Sequence, residues 1–282
     1  MVRVKDRVRY VGYLVKRSPL SILGVFLITL VICMAIFAPL IAPYSPYRIN
    51  MSDALRPPSL KHWLGTDSLG RDIFSRLVYG SRISLKIAFV VVSIAATIGT
   101  LLGVTSGYYG GIVDTIIMRV VDVFLAIPTF ILAMVAAASL GPSITNIMLA
   151  LSIVWWTWYA RIVRGEVLKL KGMYFFLAER SLGARSSRII FHHLIPNCIG
   201  PIIVQTTLQL GFAILASAGL SFLGLGAQPP APSWGLMVSD GRQYLPDFWW
   251  IATFPGLAIF TLVMGFILLG DTLRDVAERE IA

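Results

Sequence analysis

The stretch Leu177-Ala178-Glu179-Arg180-Ser181-Leu182-Gly183-Ala184-Arg185, closed by Leu194-Ile195-Pro196-Asn197, decides how this chain is read. It belongs to a polar, basic island set between long apolar runs. Tyr174, Phe175 and Phe176 precede it and extend its apolar side. Ser181-Leu182-Gly183 reads as a helix stop, because glycine adopts the left-handed cap conformation without a steric penalty. Residues 185–193 read as a second short helix, and Pro196 limits it and opens the next apolar run. Two helical pieces hinged at a glycine and lying across a membrane face can dock into a groove on a soluble partner. They can also rest on lipid headgroups. The pattern alone leaves both open.

The runs on either side have the length of membrane spans. A helix rises ~1.5 Å per residue and must cross ~30 Å of hydrocarbon, so roughly 20 apolar residues are needed. Residues 20–43, 87–113 and 249–270 qualify and carry no Asp, Glu, Lys or Arg. Residues 123–160 are charge-free and long enough for two crossings, with Gly141-Pro142-Ser143 as the turn. The first of that pair is expected to begin earlier, near Asp114. Residues 189–222 give a further span, after which Gln228-Pro229-Pro230-Ala231-Pro232 cannot remain helical. The predicted fold is all-α: a polytopic membrane protein with about six transmembrane helices. Its expected parts are a cytoplasmic tail (1–19), a first span (20–43), an extracytoplasmic segment (44–82), a transmembrane core (83–272) and a cytoplasmic tail (273–282). Within the core, a cytoplasmic loop is expected at about 165–197 and an extracytoplasmic loop at about 223–249.

Composition agrees. Charged residues are 13% of the chain and hydrophobic ones 57%, too few charges to cover a water-facing surface. The formal net charge of +10 would suit nucleic acid, but the basic residues cluster at the ends of apolar runs, which is the membrane pattern. Cys33 and Cys198 sit in or beside apolar segments and read as small buried hydrophobes, not as a disulfide. The first apolar run is too long for a signal-peptide core and reads as an uncleaved helix. Arg3, Lys5, Arg7, Arg9, Lys16 and Arg17 in the tail, and Arg161, Arg164, Lys169, Lys171, Arg180, Arg185 and Arg188 around the island, place both on the cytoplasmic side. Arg48, Arg56, Lys61, Arg71, Arg76, Arg82 and Lys86 lie between the first two spans and run against that rule. Gly99, Gly103 and Gly107 recur every fourth residue, the small-residue spacing by which membrane helices approach closely, either as a static contact or as a mobile seam.

Chemistry of its own is missing from the pattern. There is no Gly-x-x-x-x-Gly-Lys-Ser/Thr loop, no His-Glu-x-x-His and no Gly-x-Ser-x-Gly, so no catalytic, cofactor or metal site is expected. His192 and His193 are adjacent and lack carboxylate or thiolate company, so they are not read as metal ligands. A passive channel or ion-coupled carrier would need a filter loop or ionisable residues at mid-membrane, and neither is visible. Asp114, Arg119 and Asp122 come nearest, and Arg119 and Asp122 are spaced to form a local pair. The chain therefore supplies a path, and any driving energy comes from another subunit.

Ala178-Glu179-Arg180-Ser181-Leu182-Gly183, followed by Ile189-Ile190-Phe191-His192-His193-Leu194-Ile195-Pro196-Asn197, resembles the E-A-A loop of ABC importer permeases. It is close to the form in the dipeptide/oligopeptide/nickel family, second (C-type) subunit. Leu64-Gly65-Thr66-Asp67-Ser68-Leu69-Gly70-Arg71-Asp72 resembles that family's outer segment. Gly107-Tyr108-Tyr109-Gly110-Gly111, Leu220-Ser221-Phe222-Leu223-Gly224-Leu225-Gly226, Pro232-Ser233-Trp234-Gly235 and Leu269-Gly270-Asp271-Thr272-Leu273-Arg274-Asp275 resemble its later blocks. One position departs: the loop's first Glu falls on Leu177, and Glu179 occupies the second Ala position.

The resemblance implies a type I ABC importer permease in a prokaryotic cell membrane, with both termini cytoplasmic. It implies an ATPase-coupling loop at residues 177–185 with Ile195 and Pro196, and an outer docking segment of Gly65, Thr66, Asp67, Gly70, Arg71, Asp72, Trp234 and Gly235. The implied partners are a second homologous permease, two cytoplasmic ATPases that bind ATP and Mg, and an extracytoplasmic solute-binding protein. Peptides are the implied solute, with oligosaccharides or nickel as alternatives.

Overall fold

The computed structural model describes residues 19–279; the expected basic N-terminal tail lies outside them. Among the described residues the regular structure is helical, apart from one isolated bridge between Thr66 and Asp72. The main helices are α1 (Pro19–Ile36), α2 (Ile73–Tyr109), α3 (Gly111–Ala126), α4 (Thr129–Leu140), α5 (Ile144–Lys171), α6 (Tyr174–Ser181), α7 (Ser186–Phe222), α8 (Trp234–Gly241) and α9 (Trp250–Arg279).

Four of them, α1, α2, α7 and α9, are long and apolar enough to cross a membrane, and α3 with α4 makes five if the bent pair is one span. The sixth expected crossing falls on α5, whose 28 residues give ~42 Å of helix. Thr145, Asn146, Trp155, Trp156, Trp158 and Tyr159 dilute its apolar character. Much of α5 is covered by other helices, so its composition answers to protein neighbours rather than to lipid. The single helix expected from Asp114 to the turn at Gly141 is instead broken by 90° between α3 and α4. Pro128 is the cause: it pushes Ile127 into extended backbone (φ −99°, ψ 136°) and lacks the amide to continue the ladder. α1 stops at Ile36, short of residue 43, before a short helical turn at Ala38–Ile41 that carries Pro39.

The bundle is organised on two close pairings. α2 packs along α5, and α7 packs along α9, with α1 laid against α9 and α2. The expected glycine seam is the first of these contacts. A Cβ on Gly99 would stand 2.3 Å from the Trp156 carbonyl oxygen, one on Gly103 2.6 Å from that of Ala160, and one on Gly107 2.8 Å from Val167. The two helices lie close from Gly99 to Gly107, a little over two turns, and any side chain at these positions must separate them. At its two ends α2 is fixed by local chemistry. Asp72 caps its first turn by accepting from the Ser75 amide at 2.8 Å. Lys171 Nζ donates to the Gly107 and Tyr108 carbonyls at its last turn, 3.0 and 2.9 Å. Cys198 is buried as expected, whereas Cys33 is exposed on the outer side of α1.

Candidate functional site

The island forms a hinge at the C-terminal end of α2. α6 ends where the Leu182 amide donates to the Ala178 carbonyl (3.0 Å) and the Ala184 amide to that of Glu179 (3.1 Å). Gly183 sits between at φ +74°, the left-handed cap that the sequence predicts. The second helix begins after Arg185, but it does not stop at Pro196. α7 runs on to Phe222, and Ile195 and Pro196 lie within it. Residues Ile189–Leu194 take a wider turn, in which the Ile195 amide reaches the Ile190 carbonyl, and this absorbs the amide that Pro196 lacks.

Few groups anchor the hinge. Phe176, Ile189, Leu194 and Cys198 are buried against Val104, Val163, Val167 and Leu170. Tyr108 and Ser186 share a hydroxyl hydrogen bond at 3.0 Å. Glu179, the departure from the family pattern, reaches His193 Nε2 at 3.3 Å and ties α6 to α7. The remainder faces outward: Ala178, Ser181, Gly183 and Arg185 are exposed, as are Leu177 and, at 84%, Leu182. Arg180 contributes its backbone to α6. Phe175, Ala178, Glu179, Leu182, His193 and Asn197 line a cleft of about 490 Å³ across the hinge.

At the opposite end of α2, ~55 Å away along its axis, residues 44–72 fold into a cap with α8 and the start of α9. Asp67 accepts from the Leu69 and Arg71 amides (2.9 Å each) and from Arg71 Nε (2.6 Å). Arg76, 1% exposed, lies 3.7 Å from the same carboxylate and donates to the Pro46 carbonyl at 3.2 Å. Thr66 receives the Arg56 amide (2.9 Å), and its carbonyl accepts from Trp250 Nε1 (3.3 Å). His62 Nδ1 meets Asp72 at 2.9 Å, and its Nε2 lies 3.6 Å from Asp53. The Lys61 ammonium, hydrogen-bonded at 2.6 Å, holds the Asp53 carboxyl below the usual carboxylate range. Burial pushes the Asp240 carboxyl above it. Gly70 (φ +69°) admits no side chain, since a Cβ would lie 1.8 Å from the Asn50 carbonyl oxygen. Gly65 is likewise closed off, by the Arg56 backbone and Trp250. Trp234 donates to the Leu77 carbonyl at 2.9 Å, and Gly235 lies against the Ala218 backbone.

Thr66, Asp67, Arg71, Asp72 and Trp234, expected in a docking face, are therefore buried side chains that build the cap. The cap's exposed surface is carried by others, among them Leu60 and Trp63. The Arg119–Asp122 pair expected on α3 is also replaced. Asp122 pairs with Arg161, and Asp114 binds Arg164 through both oxygens at 2.5 and 2.6 Å, so both acids tie α3 to α5.

Sequence reasoning passed over one further feature. α4, α5 and α7 wall a cavity of about 800 Å³ whose lining includes Gln205 and Gln209. The signal was present: two amides spaced i, i+4, with Thr206 and Thr207 between them, in a charge-free run.

Residues 99–282 match the family described as binding-protein-dependent transport system inner membrane component, and residues 14–58 match the N-terminal TM domain of oligopeptide transport permease C. The chain is 47% identical over 266 residues to the dipeptide transport system permease protein DppC of Alkalihalophilus pseudofirmus, covering 94% of this chain and 88% of that one. It is 44% identical to the probable D,D-dipeptide transport system permease protein DdpC of Escherichia coli (strain K12), covering 98% and 94%. Among solved structures, the MetNI methionine ABC transporter in an inward-facing conformation matches with a TM-score of 0.57 at 21% identity, over 72% of this chain and 97% of that one. That likeness gives the fold of an ABC importer permease. The chain belongs to the family of binding-protein-dependent transport system inner membrane components.

Proposed function

We propose that this chain is one of two pore subunits of an ATP-driven importer of di- and oligopeptides. The observation that carries this reading is the hinge: a glycine-capped pair of helices, exposed over most of its surface, at the end of the tightly packed α2–α5 pair. Relatives named for dipeptide transport support peptides as the solute. The hinge faces the cytoplasm, as do both termini, and the cap faces outward. A solute-binding protein delivers its load to the cap's outer surface. A homologous permease completes the pore. Two ATPase subunits, which carry ATP and Mg, receive the hinge in a surface groove.

Closure of the ATPases pushes on α6 and on the start of α7. Because α7 is continuous from Ser186 to Phe222, displacement at the hinge is carried into the membrane along one helix. Converting nearly all of the complex from inward- to outward-facing needs a differential of ~5.5 kcal/mol between the states, which an ATP-driven partner can supply. The test is purification of the tagged chain from its host, with uptake of a labelled dipeptide measured beside it. Recovery of a second permease and P-loop ATPases, with dipeptide uptake lost on deletion of this chain, is the expected result. Recovery of the chain alone, or unchanged uptake, rejects the reading.

A further inference from the structure

The cavity between α4, α5 and α7 has a chemistry that neither the hinge nor the cap uses. At about 800 Å³ it falls in the ~300–1,000 Å³ range of small-ligand pockets. Phe130, Trp155 and Trp158 give it aromatic walls. Gln205 and Gln209 break that apolar surface. Gln209 is 7% exposed and Gln205 half-buried, and among the described residues neither side-chain amide has a hydrogen-bond partner. The polar atoms of both amides are open to the cavity, so they can pair with a partner that enters it.

Their spacing indicates which. A side-chain amide presents a carbonyl acceptor and N–H donors in one plane, the same complement as a peptide unit. Residues four apart on a helix are displaced by ~6 Å along its axis. In an extended chain, peptide groups facing one side recur every second residue, at ~6.6–6.8 Å. The two periods match closely enough for both glutamines to address alternate peptide groups of one strand. Arg161 lines the same cavity, with guanidinium donors beyond the one engaged by Asp122.

We propose that this cavity is a transit site for a short extended peptide, with Gln205 and Gln209 pairing to its backbone and Arg161 receiving its terminal carboxylate. This rests on the importer reading above. Recognition of this kind reads the backbone, while the aromatic walls accept side chains of varied shape.

The test uses the complete complex, with its binding protein, reconstituted in vesicles. Uptake of labelled trialanine is compared with that of an analogue in which an ester replaces one amide. The wild-type complex is expected to favour trialanine. Gln209→Leu is expected to lower trialanine uptake by about tenfold, as for the loss of one buried hydrogen bond, and to shrink the preference over the ester. Gln205→Leu combined with Gln209→Leu should do at least as much. If Gln209→Leu yields no intact complex, Gln209→Met, of similar length without the amide, is read in its place. Unchanged uptake and preference in the double variant overturn the proposal. Loss of the second permease from both single variants also overturns it, by making the cavity a subunit contact. A wild-type complex that imports no peptide rejects the importer reading itself, whereas peptide import indifferent to both glutamines rejects only the transit site.

Discussion

The cap and the hinge lie at the two ends of α2 and are built on opposite terms. In the cap, Asp67, Arg71, Asp72 and Arg76 are buried and bonded to one another or to backbone, and Trp234 and Trp250 seal the edges. In the hinge, Tyr174, Leu177, Leu182 and Phe191 stand exposed, and one carboxylate–imidazole contact joins the two arms. The cap satisfies its buried polar groups internally, His62 Nε2 excepted, and holds its shape through those bonds. The hinge leaves apolar surface uncovered, which on the cytoplasmic face proposed for it marks a contact still to be made. Substitutions in the cap should therefore act on folding, and substitutions in the hinge on coupling.

The largest effect is expected from Gly70→Val. A branched side chain at φ +69°, driven into the Asn50 carbonyl, should cost upwards of ~3 kcal/mol and open the cap. Thermal unfolding of the purified complex and loss of binding-protein docking would show it.

Gly183→Arg probes the other end. No atom lies within 4 Å of the position a Cβ would take, so the penalty is the left-handed backbone alone, ~1–2 kcal/mol. The expected outcome is near-normal thermal stability and outer docking with transport abolished. Gly183→Asn should retain part of the uptake, since asparagine tolerates this conformation.

Titration separates the two ends as well. The folded-state value of Asp53 is lowered, so the stability it contributes is present above the ordinary carboxylate value of ~4 and is lost as pH falls through the lowered one. The cap should hold at pH 5 and loosen as pH falls below the ordinary carboxylate value. Lys61→Met should move that loosening upward. Hydrogen exchange of the cap amides between pH 3 and 5 reads both.

The smallest effect is expected from Glu179→Gln. Its pair with His193 is partly exposed and worth under ~1 kcal/mol. A double-mutant cycle with His193→Asn should give a coupling energy within that bound.

The hinge was legible because its signals are local. Gly183 after Ser181-Leu182 needs only the left-handed cap to be read, and the structure has it at φ +74°. The glycine seam was legible for the same reason, as a spacing. Pro196 misled, because a proline ends a helix only if the turn before it cannot widen, and here Ile189–Leu194 does. Pro128 escaped notice, although a proline inside an apolar run is the ordinary cause of a bend. The residues expected in a docking face lie in the cap, but with their side chains buried. Runs such as Thr66-Asp67 and Arg71-Asp72 look exposed in sequence, and only their mutual pairing with Arg76, His62 and Trp250 allows them to be buried. Trp250 lies 184 residues from Thr66, and the Arg76 and His62 contacts reach into an irregular segment where no helix or strand spacing records them.

The most direct test of the account is site-specific photocrosslinking in the intact membrane. A benzophenone amino acid replaces Leu182 in one variant and Leu60 in another, two leucines that are 84% and 99% exposed at opposite ends of α2. The expected result is a crosslink from position 182 to a P-loop ATPase and from position 60 to the binding protein or to nothing. An ATPase crosslink from position 60, or capture of lipid alone from position 182, would contradict the assignment of the hinge as the point where energy enters this chain.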